Sequence, residues 1–103
     1  MIKLKVKRLK SLKEKSIGLL KNKKPVAVFF KTRFGIHTFF LRFPIDIVIL
    51  DQNDKVVCLK KKLKQNRIYL WPVKFEKVIE LAEGEIDRLN LKIGSKVEIS
   101  EKT

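Results

Sequence analysis

Residues 37–46 thread His37, Thr38, Arg42 and Asp46 through Phe39, Phe40, Leu41, Phe43, Pro44 and Ile45, inside the most apolar third of the chain. Burying polar and ionisable groups is costly unless each is hydrogen-bonded or paired. A fold that encloses this block must therefore supply partners for it, and the block serves either architecture or a site. Pro44 has no N–H to give to a ladder, so it belongs at a strand start, an edge or a bulge.

The periodicity around the block is that of short strands. Ile2, Leu4 and Val6 alternate with Lys3, Lys5 and Lys7, which reads as a half-buried strand with a lysine face that also discourages edge-to-edge pairing. Ser11-Leu12-Lys13-Glu14 fits a capping box opening a short helix, with Gly18 near its stop. Val26–Phe30, His37–Arg42, Ile45–Leu50, Lys55–Leu63, Arg67–Trp71, Glu76–Leu81 and Lys96–Ser100 read as strands, and the nearly continuous apolar run Ile45–Leu50 is the central one. Asp51-Gln52-Asn53-Asp54 is a hairpin turn, Gly84 a positive-φ turn, and Glu85–Leu91 one or two helical turns. No strand–helix–strand alternation of the length a parallel sheet needs is present. The expected architecture is mainly β: a small antiparallel sandwich or barrel with one or two short helices, formed by a single domain over residues 1–103.

Charge is the other constraint. The chain carries 25 Lys and Arg against 11 Asp and Glu, a formal net charge of +14. The excess sits in residues 1–24 and 59–77, while residues 25–58 are nearly neutral and residues 78–103 mildly acidic. Such a balance suits a nucleic acid or another polyanion. It equally suits the lysine-rich, Cys-, Met- and Gln-poor surface of a heat-adapted protein. Only five of the cations are arginine, the residue that bidentate phosphate sites favour.

Several chemistries are excluded by count. One cysteine, Cys58, permits no internal disulfide and no cysteine metal site, and its apolar setting reads as a buried thiol. One histidine permits no multi-histidine metal site. Glycine-rich phosphate loops, nucleophile elbows and Ser–His–Asp order are absent. No cofactor is expected. Neither a leader sequence nor an apolar run of about 18 residues is seen, so a cytoplasmic protein without a membrane partner is expected.

The block and its flanks resemble a known family. Phe40-Leu41-Arg42, Pro44-Ile45-Asp46, Ile47–Leu50 and Asp51–Asp54 are similar to the aromatic-Met-basic, Pro-Leu-Asp, apolar-strand and acidic-turn succession of the domain of unknown function family 192, small proteins of bacteria and archaea. Glu14–Leu20 is similar to its Glu-Arg-x-x-Gly-Leu-Met, Val78–Gly84 to its Val-Leu-Glu-Leu-Pro-x-Gly, and Leu91–Gly94 to its closing Gly-Ile-x-x-Gly-Asp. Leu20 and Leu41 stand in place of methionines, Lys15 of Arg, Ala82 of Pro and Ser95 of Asp. The resemblance implies a compact β-rich fold and brings no activity with it.

Two constellations are candidates for function. His37, Arg42, Asp46 and Glu80 would line a small-ligand pocket, or an acid–base site given the near-neutral titration of imidazole. The competing reading makes Asp46 a buried carboxylate that accepts backbone N–H groups at the Pro44 corner, with Arg42 or Arg33 beside it. Lys60, Lys61, Lys62, Lys64 and Arg67 would bind an anion, with Lys3, Lys5 and Lys7 adding charge. Tyr69 and Trp71 would stack bases if Ile68 and Leu70 turn inward; the reverse orientation buries the aromatic pair in the core. A non-catalytic binding or accessory module for an anionic partner is the expected function, and a ligand-binding protein or enzyme centred on His37, Arg42 and Asp46 the alternative.

Overall fold

A computed structural model of the chain describes residues 1–8, 27–39 and 43–101. The capping box at Ser11–Glu14 with its helix, and Phe40, Leu41 and Arg42, lie outside the described residues. Among the described residues, eight strands and one helical turn follow in order: β1 (Ile2–Arg8), β2 (Val28–Lys31), β3 (Ile36–His37), β4 (Ile45–Leu50), β5 (Val56–Leu63), β6 (Ile68–Tyr69), β7 (Lys77–Ala82), α1 (Glu85–Arg88) and β8 (Val97–Glu101). Six strands form one curled sheet, a half-barrel, in the order β5-β4-β7-β2-β1-β8, and β3 pairs with β6 in a small second sheet. The mainly β expectation is met.

The antiparallel expectation holds for β2–β7, β4–β5, β4–β7 and β3–β6. It fails at β1, which lies parallel to both β2 and β8. Ile2 stands opposite Val97, almost the full chain length away, a pairing that periodicity does not encode. The stretch between Arg8 and Val28 exceeds the dozen or so residues that a parallel crossover requires.

The run Ile45–Leu50, expected as the central strand, is interior but second in the sheet, next to the edge strand β5, and alternation along it builds two cores. On β4, Val48 and Leu50 join Leu4, Val6, Phe29 and Ile79 on one face, where Ile86 of α1 and Leu91 cover them. Ile45, Ile47 and Ile49 face the other way, against Val28, Phe30 and Val78, beneath Ile36 of β3 and Trp71. The run Ile45–Leu50 is apolar at five of six positions because the sheet is covered on both sides. Burying each of these isoleucines contributes about 1.5–3 kcal/mol.

Both irregularities of the β4–β5 ladder are bulges. The first sets Lys61 and Lys62 opposite Asp46, between the Ile45–Leu63 and Ile47–Lys60 pairs, and Lys62 adopts φ 52°. The second lies between the Ile49–Cys58 and Leu50–Val56 pairs, beside the hairpin turn that the sequence places at Asp51–Asp54. There Asp51 Oδ1 accepts the N–H groups of Asn53 (2.8 Å) and Lys55 (3.0 Å). Gly84 has φ 91°, as its turn requires.

Candidate functional site

Asp46 is buried on the α1 side of the sheet and satisfied by backbone. Its Oδ1 accepts the Lys62 N–H at 3.0 Å, the donor that the bulge withdraws from the ladder. Its Oδ2 accepts the N–H groups of Gly84 (3.1 Å) and Ile86 (3.0 Å). Gly84 precedes α1 and has no side chain to cap it, so a strand carboxylate distant in sequence caps the helix instead. Three backbone donors leave this carboxylate committed to architecture.

The other members of the proposed pocket lie elsewhere. Glu80 is buried on β7 beside Ile47 and Val28, on the face opposite Asp46. His37 is exposed on the small sheet, where it pairs with Ile68 and stacks on Phe39 with ring centroids 5.0 Å apart. His37, Asp46 and Glu80 therefore line no common pocket, and Arg42 is outside the described residues. Strand alternation is the reason: Asp46 pairs with Leu81 while Glu80 pairs with Ile47, one step along and so on the other side.

The cationic segment is laid out at the surface. Lys60, Lys61 and Lys62 are exposed on β5, an edge strand, and Lys64 and Arg67 are exposed in the turn to β6. Lys61 pairs with Asp87 of α1 at 2.6 Å, with both side chains more than half exposed, so the pair contributes little stability. Arg67 bends back toward the carbonyl oxygens of Gln65 and Asn66, each at 3.4 Å. Among the described residues, Lys60, Lys62 and Lys64 make no ion pair. Lys3, Lys5 and Lys7 stand on β1, four strand positions from β5 in the sheet order. They do not extend the β5 segment by strand adjacency.

The aromatic pair takes the inward orientation. Trp71 is only 7% exposed, and its indole N–H donates to the Phe75 carbonyl at 2.8 Å. Tyr69 is half-buried beside it, with centroids 5.8 Å apart, and burial raises its hydroxyl pKa. Trp71 has no open face for a base, and Ile68 and Leu70 face solvent instead. The small sheet packs on the six-stranded one through Ile36, Tyr69 and Trp71, so the larger ring surfaces close the core.

Thr38 was visible in the sequence only as a polar residue among phenylalanines. It is 1% exposed and locks the turn that carries the cations. Its hydroxyl donates to the Lys64 carbonyl at 2.6 Å and accepts the Arg67 N–H at 2.9 Å. Its own N–H reaches the Arg67 carbonyl at 2.9 Å, and its carbonyl accepts the Asn66 N–H at 3.2 Å. These bonds end β3 at His37, where the sequence predicts a strand continuing to Arg42. They also fix, next to the Lys64–Arg67 turn, the backbone that carries the exposed side chains of His37 and Phe39. Phe34, 85% exposed, stands beyond Gly35 at the other end of β3. A hydrophobic face this open carries no periodicity signal, because exposure is decided by what packs over the strand.

A family model described as Uncharacterized ACR matches residues 2–99. No curated protein matches. Two solved structures share the fold. One is a protein of unknown function from Novosphingobium aromaticivorans, with TM-score 0.69, 17% identity, and coverage of 86% of this chain and 70% of that one. The other is a Sinorhizobium meliloti protein described as a "putative transcription regulator", with TM-score 0.70, 13% identity, and coverage of 88% and 78%. At such identities the likeness concerns the fold alone.

Proposed function

The chain belongs to the domain of unknown function family 192, and we propose that it acts as a non-catalytic binding module for an anionic partner, nucleic acid foremost. One observation carries this reading: the exposed run from Lys60 to Arg67 on an edge strand and its turn, in which Lys60, Lys62 and Lys64 have no carboxylate partner among the described residues. Side chains so placed attract phosphates as point charges and release condensed counterions on binding, a largely sequence-independent mechanism. Asp46 supports the same view from the other side, since its three backbone donors tie it to the fold. Among the described residues no helix is long and apolar enough to cross a membrane.

The test is a titration of labelled DNA at ~50 mM and ~200 mM salt. Binding that weakens steeply between the two is expected. Replacing Lys60, Lys62 and Lys64 together with Gln lowers the slope of log affinity against log salt by about 2–3. Absence of binding at the lower salt, or a slope unchanged by the triple substitution, refutes the reading.

A further inference from the structure

We infer that the partner of this surface is single-stranded nucleic acid, with bases stacking on the Phe39–His37 ring pair while Lys64 and Arg67 hold neighbouring phosphates. The inference rests on the anion-binding reading of the Lys60–Arg67 segment and adds the class of polyanion. Its basis is a juxtaposition: the stacked rings of His37 and Phe39 (5.0 Å, 22° between planes) flank Thr38, and Thr38 is bonded to both ends of the cationic turn.

Single strands bind to a positive track lined by aromatic side chains, because every base has a π-face and the backbone repeats one charge. Here the track runs along β5 into the turn, and Phe39, 48% exposed, directly follows Thr38, which is bonded to that turn. Thr38 makes five hydrogen bonds there, its hydroxyl proton shared between the Lys64 and Arg67 carbonyls, while only 1% exposed, so little ordering cost remains to be met on binding. A duplex keeps its base faces covered by stacking and gains nothing from a protruding ring. The rings in use are therefore those of the small sheet's outer side, and the buried Trp71 is excluded.

The experiment compares three labelled probes at ~50 mM salt: an oligothymidylate of about 16 nucleotides, a duplex of equal length, and polyglutamate. The expected result is tighter binding to the single strand than to the other two. Phe39→Ala lowers single-strand affinity about fivefold or more relative to duplex affinity, whereas Phe39→Trp retains it. Phe39→Leu, which keeps apolar bulk without a π-face, behaves like Phe39→Ala. Equal affinity for single strand and duplex, with Phe39→Ala indifferent, overturns the inference and leaves the broader anion-binding reading standing. Preference for polyglutamate overturns it in favour of an acidic protein partner. Failure of all three probes to bind removes both readings. Circular dichroism of each variant excludes unfolding as the cause of a loss.

Discussion

The Asp46 carboxylate lies 3.0 Å from the N–H of Ile86, forty residues further along the chain. The same side chain takes the Lys62 N–H from the β5 bulge, so one residue of β4 joins an edge-strand irregularity to the start of α1. Packing of Ile86 into the core then depends on a buried charge being placed correctly.

Asp46→Ala leaves three backbone donors without their acceptor in a buried setting. Hydrogen bonds to charged groups contribute about 1.5–3 kcal/mol each and are not additive. A loss of about 3–5 kcal/mol is expected, read as a fall in the urea midpoint. An unchanged midpoint refutes the architectural role.

Two glycines separate strain from crowding. Gly84 (φ 91°) has open space where a Cβ would stand, so Gly84→Ala costs about 1 kcal/mol through backbone strain alone. At Gly35 (φ 85°) a Cβ would lie 2.5 Å from Leu70 Cδ2 and 2.7 Å from the Tyr69 carbonyl oxygen. The carbonyl is part of the β3–β6 ladder and cannot give way, so Gly35→Ala costs about 2–3 kcal/mol. Thermal unfolding of the two variants measures the difference; equal shifts contradict it.

Asp51 provides a test against pH. The N–H of Lys55, then that of Asn53, together with the Lys55 and Lys96 charges, holds its carboxyl below the usual 3.8. A folded pKa below the unfolded one adds stability above pH 3.8 and forfeits it as pH falls through the lower folded value. Carboxyl-resolved NMR titration of the folded protein is expected to place the Asp51 midpoint below that of a model peptide. A midpoint at or above the peptide value contradicts the turn geometry.

Local chemistry was legible wherever neighbours in sequence are neighbours in space. The Asp51–Asp54 turn, the positive φ of Gly84, the two-sided burial of Ile45–Leu50 and the lysine-bearing strand β1 follow from side-chain period and turn residue type. The site was legible as a list of residue types. Its arrangement was not, because Asp46 and Glu80 diverge across the sheet and Tyr69 and Trp71 turn toward the core through packing that links distant segments.

By itself the sequence determined a mainly β fold and its two basic segments, since periodicity and charge act residue by residue, and it left Asp46 between a ligand site and a buried structural carboxylate. Tertiary structure alone decided that β1 runs parallel between β2 and β8, that Asp46 caps α1, and that Thr38 ties the end of β3 to a cationic turn. These depend on hydrogen bonds between groups far apart along the chain, whose partners are chosen only when the sheets close over their shared core.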